Sequence, residues 1–273
     1  IWRLNCDNHT QLRTDGIAQP IAGATSFTLP INMTINNYNG SGREPSDWEV
    51  AEVLVYEATL TTIQMQQVES YLKNRYGLTN VVTGNIGTSL SNNSGDLVKV
   101  DPTSNNSSTF IGWNTKADGT GTLYSGPTLA GLPRAYARYE AGNYNATTKI
   151  WADSSGNGRN TTETRGSPTF VTSATGNGNT KTIPAVKGGT TAGITLPNAQ
   201  LNAFTFCSVA RYAGTNQGRI FDARAENWLT GFYSGYARLA HHNNWIAYQT
   251  GVAAGQKWQI ACDYGANYRA QGV

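Results

Sequence analysis

Charge is scarce in this sequence: Asp, Glu, Lys and Arg make up 14% of its 273 residues, against roughly 25% in an average domain. That excludes a coiled coil or a helical bundle, and with a net charge of +3 and no long basic run it excludes a surface built for phosphate backbones or acidic membranes. No apolar stretch approaches the ~18 residues of a helical membrane span. No initiator Met and no signal-peptide pattern stands at Ile1, so the chain reads as a mature product or a fragment. Also missing are the GxSxG, HExxH and phosphate-cradling glycine patterns that would mark a hydrolase, a zinc protease or a nucleotide site. What is abundant points elsewhere. Thirty glycines, seven Trp, fourteen Tyr and 38% hydrophobic residues describe a folded, turn-rich β protein rather than a disordered chain, long enough for one large or two small domains.

The two ends of the chain repeat each other. Residues 2–17 (WRLNCDNHTQLRTDGI) align without gaps on 258–273 (WQIACDYGANYRAQGV), with identities at Trp2/Trp258, Cys6/Cys262, Asp7/Asp263, Arg13/Arg269 and Gly16/Gly272. The chain thus reads as one period of a tandem array plus a short overlap. Each period then holds two cysteines. Cys207, in the strand-like run FTFCSVAR, is matched with Cys262 or Cys6, in the strand-like WQIACDY context; two buried free thiols are the alternative. A disulfide suits an extracellular protein or the outer surface of a cell or virion.

Along the chain, SFTLPINMTI and WEVAEVLVYE read as strands separated by turn residues. Thr61 with Gln64 forms a capping-box pattern, Met65, Val68, Leu72 and Tyr76 recur at helical spacing, and Gly77 supplies the stop, so one short helix is expected over about 61–76. The string FIGWNTKADGTGTLYSG looks like two strands about a DGTG turn. Beyond residue 135, runs of about 5–8 strand-forming residues between Gly and Asn turns predict a two-sheet sandwich or jelly roll.

The segment WEVAEVLVYEATLTTIQMQQVESYLKNRYGL (48–78) resembles the end of laminin-G-like jelly rolls of the concanavalin A-like lectin/glucanase superfamily, and KIWADSSGNGRNTT (149–162) is similar to the opening of the same module. The resemblance implies an all-β, concanavalin A-like jelly-roll sandwich with its opening and closing signatures in reversed order. Residues 1–79 become the C-terminal part of one jelly roll and 135–273 the N-terminal part of the next, or of the same one if the chain is permuted or strand-exchanged. Residues 80–134 form a connector, in which GWNTKADGTGTLY is similar to a Listeria–Bacteroides type of β repeat. The halves can close in one chain, exchange between chains, or join in a longer array. Because 2–17 and 258–273 would compete for one position in a closed monomer, assembly or an array is favoured.

Candidate chemistry is sparse. Glu49, Glu52 and Glu57 are the only carboxylate cluster similar to the acid/base pair of glucanases; strict alternation puts Glu49 and Glu57 on one face and Glu52 on the other, and the strand reading prevails over catalysis. His241 and His242, in HHNN, read as a loop, with His9 remote in sequence. Asp153 in DSSGNG is a weak Ca²⁺ candidate, since laminin-G-like modules sometimes hold calcium and Asx turns use the same residues; no other cofactor is expected. Trp228, Phe232, Tyr233, Tyr236, Trp245 and Tyr248 cluster in sequence; Trp228, Tyr233, Tyr236 and Trp245 are the candidates for stacking on sugar rings, with core positions as the alternative. Sequons start at Asn8, Asn32, Asn39, Asn92, Asn105, Asn106, Asn145 and Asn160. The expectation is a non-enzymatic extracellular structural protein, the unit of a fibre or coat built with other copies of the same chain. A carbohydrate-binding adhesin is the rival and a glucan hydrolase a distant third.

Overall fold

The computed structural model describes residues 11–19, 33–37, 44–81, 113–114, 123–124, 129, 131–197, 201, 203–224, 227–242, 245–247 and 251–266. Two antiparallel sheets of eight strands each face one another. The first runs in the order Thr169–Ser173, Ile183–Gly188, Ser46–Tyr56, Ala203–Gln217, Gln259–Ala266, Gln11–Thr14 and Ile17–Ala18, with Ala137–Glu140 also paired to Ser46–Tyr56. The second runs Glu163–Arg165, Gly193–Thr195, Met33–Ile35, Phe221–Ala223, Trp228–Tyr233, Tyr236–His242 and Trp245–Ala247, with Val252–Ala253 on Tyr236–His242. With one α-helix among the described residues, Thr62–Tyr76, this is the expected all-β sandwich with a single helix.

The long central strands are apolar nearly throughout because both of their faces are covered. Trp48, Val50, Val53 and Val55 face the space between the sheets, with Phe206, Tyr212, Phe221 and Phe232. Ala51, Leu54 and Tyr56 face the other way, under Met65, Val68 and Leu72 of the helix. Each Val, Leu, Phe or Met among them, buried in full, contributes roughly 1.5–3 kcal/mol. Two inward-facing runs meet without an odd residue only if the pleat is unbroken, and here it is not. Val209 pairs with Glu52 and Ala210 with Val50, so Ala51 is the extra residue of a bulge and the phase of alternation shifts by one. Where Ile183–Gly188 passes Trp48, only glycine fits: a Cβ on Gly188 would overlap the indole.

The helix ends as its sequence dictates. Thr61 accepts the Gln64 backbone N–H at 3.3 Å while the Gln64 side chain accepts the Thr61 N–H at 2.9 Å. Gly77, at φ 62°, ends it in the left-handed conformation. Trp113–Asn114 pairs with Leu123–Tyr124, the small β element expected about the DGTG turn.

Residues 11–81 are not a fold of their own. Ser46–Tyr56 lies between Ala203–Gln217 on one side and Ile183–Gly188 with Ala137–Glu140 on the other, and Met33–Ile35 lies between Gly193–Thr195 and Phe221–Ala223. The two parts of the chain thus close on each other within one molecule. The described parts of the two repeats, 11–17 and 258–266, occupy adjacent positions. Gln259–Ala266 holds the position beside Ala203–Gln217, and Gln11–Thr14 holds the next one out.

Candidate functional site

The two repeated segments meet at one edge of the first sheet. Cys207 and Cys262 stand directly opposite in adjacent strands and form a disulfide, Cα–Cα 4.1 Å. Trp258, the first residue of the second repeat, is fully buried with them. One residue past Cys262, the Asp263 carboxylate meets His242 Nε2 at 2.7 Å, and the His242 ring lies flat against Trp228, centroids 5.2 Å apart. From the first repeat, the Arg13 guanidinium donates to Glu69 of the helix through Nε and Nη2, both at 3.1 Å, and through Nη2 to the Gly16 carbonyl at 2.6 Å. Gly16, at φ 80°, turns the chain back. Asp15 donates its N–H to the Ile260 carbonyl at 2.9 Å, and its carboxylate accepts the Ile260 N–H at 3.1 Å.

Burial sets the electrostatics of this edge. It raises the Asp15 carboxyl to about 7, against the pull of the Ile260 N–H and Arg238. Burial likewise raises Glu69, against Arg13. Every identity of the repeat that falls on described residues therefore has a role of its own, Arg13 and Gly16 from the first copy and Trp258, Cys262 and Asp263 from the second. The pairing of Arg13 with Glu69 leaves one signal in the sequence, the Arg13/Arg269 identity, which names the arginine but not its partner.

A second site lies on the outer side of the second sheet. Tyr233, Ser234, Tyr236, Leu239 and Gly251 line a groove of about 360 Å³. Tyr236 is 50% exposed. Trp245 is half-buried and tilts against Tyr233, centroids 5.5 Å apart. Three of the four aromatic candidates thus come together. Trp228 does not: at 2% exposure, with His242 against its face, it belongs to the interior rather than to a sugar-stacking surface. Tyr248 lies outside the described residues. Ser234, Leu239 and Gly251 carry no sequence signal for a groove.

The remaining candidates have structural partners. The bulge at Ala51 overturns the expected alternation: it sets Glu52, with Glu49, on the helix-covered face, and Glu57 follows the strand as an exposed residue. Glu49 accepts from Arg211 Nε at 2.7 Å and from the Ser173 hydroxyl. Glu52, fully buried, accepts from Arg138 Nε at 2.8 Å and the Tyr76 hydroxyl at 2.7 Å, with Arg75 at 3.3 Å; burial still raises its carboxyl against these groups. HHNN is not a loop at its start: His241 and His242 end the strand Tyr236–His242, because His242 is drawn inward by Asp263. His241 Nδ1 meets the Asn227 carbonyl at 2.7 Å, and burial lowers its basicity. His9 is outside the described residues.

Asp153 anchors its own turn. One carboxylate oxygen accepts the N–H groups of Arg138 and Ser155 at 2.9 and 2.8 Å, and the other accepts the Arg159 N–H and the Ser155 hydroxyl at 2.9 and 2.8 Å. Burial opposes ionisation, but these four donors together hold the group below its ordinary range. Asp153 therefore serves its own turn, and no cluster of three or more His, Cys, Asp or Glu suited to a metal occurs among the described residues. Asn145 and Asn160 are exposed, as glycan acceptors must be; Asn8, Asn32, Asn39, Asn92, Asn105 and Asn106 lie outside the described residues. No helix among the described residues is long and apolar enough to cross a membrane. No protein-family model, no curated protein and no solved structure matches this chain, so the laminin-G-like likeness rests on the two sequence motifs alone.

Proposed function

We propose that this protein is a non-enzymatic, extracellular structural protein, the repeat unit of a surface fibre or coat whose copies meet through complementary halves of the sandwich. The observation that carries this reading is the interleaving of residues 11–81 with 131–266 in both sheets, in a chain whose two ends repeat one another. Halves that complete each other within one copy have the same complementary edges to offer a second copy. The Cys207–Cys262 disulfide and the exposed Asn145 and Asn160 suit an oxidising, glycosylating compartment. In the reading as laminin-G-like modules, the paired strands Trp113–Asn114 and Leu123–Tyr124 belong to the connector between successive sandwiches. Sedimentation velocity and cryo-microscopy across a concentration series test it: rows of copies are expected, and compact monomers at every concentration would overturn it.

A second reading, a carbohydrate-binding adhesin, is favoured by the groove at Tyr233 and Tyr236, where an exposed ring lies beside polar groups. Its test is a glycan array with Tyr236→Ala and Trp245→Ala. Binding lost in both variants supports it, and no binding of any sugar by the unaltered protein dismisses it.

A further inference from the structure

Most sheet edges among the described residues are short, charged or capped. Ile17–Ala18 has two residues, and the Gln19 side chain donates to the Ile17 carbonyl at 2.9 Å. Glu163–Arg165 has three, two of them charged, with Glu163 paired to Arg224. Trp245–Ala247 also has three. The outer side of Ala137–Glu140 is closed by the Asp153 turn, which accepts the Arg138 N–H and donates the Ser154 N–H to the Arg138 carbonyl. Thr169–Ser173 differs from all of these. It consists of Thr, Phe, Val, Thr and Ser, without charge, proline or bulge, and Phe170 is 46% exposed. An uncharged edge of strand-forming residues is a template for another strand.

The neighbouring strand fixes which backbone groups of this edge point outward. Thr172 stands opposite Pro184, which has no N–H, so these two residues cannot exchange a pair of hydrogen bonds. Bonded and non-bonded pairs alternate along an antiparallel ladder, and the bonded ones here must be Thr169 with Lys187, Val171 with Ala185 and Ser173 with Ile183. The N–H and C=O of Phe170 and of Thr172 therefore face away from the sheet, evenly placed on either side of Val171.

We propose that a second copy of this chain joins here, its Thr169–Ser173 antiparallel to the first about a two-fold axis at Val171. Phe170 then exchanges two hydrogen bonds with Thr172 of the second copy, and Thr172 exchanges two with Phe170 of the second copy. In this register the strand is its own complement, which selects a second copy over an unrelated peptide. No like charges face one another, because the strand holds none. The first sheets of the two molecules become one continuous sheet, with each Phe170 ring covered by the Thr172 opposite it on one face and the two Val171 side chains meeting on the other. Five residues bury less than the ~1,200 Å² of a durable complex, so the pair forms and separates with concentration. The contact is side to side and does not depend on copies also meeting through complementary halves.

The test is sedimentation velocity over a concentration series with the unaltered protein, Thr172→Pro and Phe170→Lys. Thr172→Pro removes an outward N–H and leaves the ladder to Ile183–Gly188 whole, while Phe170→Lys sets a charge on the edge. The unaltered protein should form dimers, and each variant should weaken them on the order of 100-fold while melting within a few degrees of it. Monomers of the unaltered protein at every concentration overturn the proposal, as do folded variants that dimerise equally well. If Thr172→Pro unfolds, Phe170→Lys carries the comparison alone. Crosslinking reads the register. In a Cys6→Ser background, Val171→Cys sets two thiols directly opposite in a non-bonded pair, about 4.5 Å between Cα atoms, where a disulfide closes, whereas two Phe170→Cys thiols are offset along the strands. Oxidation should link copies of Val171→Cys, and equal linking of Phe170→Cys overturns the two-fold at Val171. Dimers that never grow into rows support this contact while removing the assembly reading above.

Discussion

The outer faces of the two sheets are built on opposite plans. On the first sheet the outer face is roofed by the helix: Ala51, Leu54, Cys207, Val209, Ile260 and Cys262 lie beneath Met65, Val68 and Leu72, and the carboxylates admitted there, Glu49, Glu52 and Glu69, are each held by an arginine. On the second sheet the outer side bears Tyr233, Tyr236 and Trp245 about an open groove. A β-sheet with one wet face needs only one apolar side. A sheet roofed on both sides commits the chain to a second interior, and here that interior draws on both repeats. The roofed face is where changes in the sequence should act on folding, and the open face where they should act on binding.

The largest contrast is expected from truncation under the helix. Leu54, fully buried between sheet and helix, should cost about 2–5 kcal/mol as Leu54→Ala, because the rigid roof cannot collapse into the space left. Chemical denaturation would show the loss as a lower midpoint at unchanged slope. A cost under about 1 kcal/mol would mean that the helix is loosely seated, and the distinction between the faces would fail.

Next comes the disulfide, which lies in the same interior. Cys207 and Cys262 are 55 residues apart, and closing a loop of that length restrains the unfolded chain by about 4 kcal/mol in the chain-entropy treatment. Reduction, or Cys207→Ser with Cys262→Ser, should lower stability by about 2–4 kcal/mol. The aromatic groove on the opposite sheet should keep its shape, read as unchanged Tyr and Trp fluorescence quenching at a temperature where both forms are folded.

How much of this contrast the sequence carries depends on whether a feature is local. The helix is readable at both ends, because Thr61, Gln64 and Gly77 act within a few residues of one another. The match of Cys207 with Cys262 is readable as one of two choices, and the repeat at the chain ends is readable outright. The face of Glu52 is not, since a single extra residue at Ala51 inverts the pleat and its cause lies in a distant strand, where Val209 gives way to Ala210. The burial of Trp228 is hidden for another reason: alternation sets it on one face with Phe232, and only the packing of the two sheets makes that face the inner one, while the pleat is broken in the next strand. A second bulge pairs Gly231 with Leu239 and Phe232 with Ala237, leaving Arg238 extra at φ 68°. Alternation counted along the sequence therefore loses its phase in the very strands that bear the candidate residues. The partner of Arg13, Glu69, lies on an element that only the packing brings near.

A smaller effect separates the faces by pH. The unfolded chain releases the Asp15 proton near pH 4, whereas the folded chain holds it to about 7, because burial outweighs the Ile260 N–H and Arg238 and the nearby Glu69 adds to the rise. The folded state therefore binds more protons between these values, and the contribution of this group to stability falls as pH rises through that window. Asp15→Asn keeps an oxygen for the Ile260 N–H and cannot titrate. The stability difference between variant and unaltered protein should change by on the order of 2 kcal/mol from pH 4 to pH 7, in favour of the variant at the higher pH. A difference that stays flat would show that Asp15 is ionised and hydrated in the folded chain, and that this edge of the roofed face is open to water.

The smallest effect on stability is expected at the centre of the open face. Half of the Tyr236 surface already meets solvent, so Tyr236→Ala removes little buried area and should shift stability by no more than about 0.5 kcal/mol. Its edge of the groove nevertheless disappears, since Tyr233, Leu239 and Gly251 alone leave a shallow trough without a free ring face. A surface kept for a ligand should lose binding with its folding intact, whereas a surface that merely closes the sheet should lose both or neither. Parallel glycan-binding and unfolding measurements on this one variant thus decide whether the unroofed face is a binding surface or only the unburied side of a sandwich.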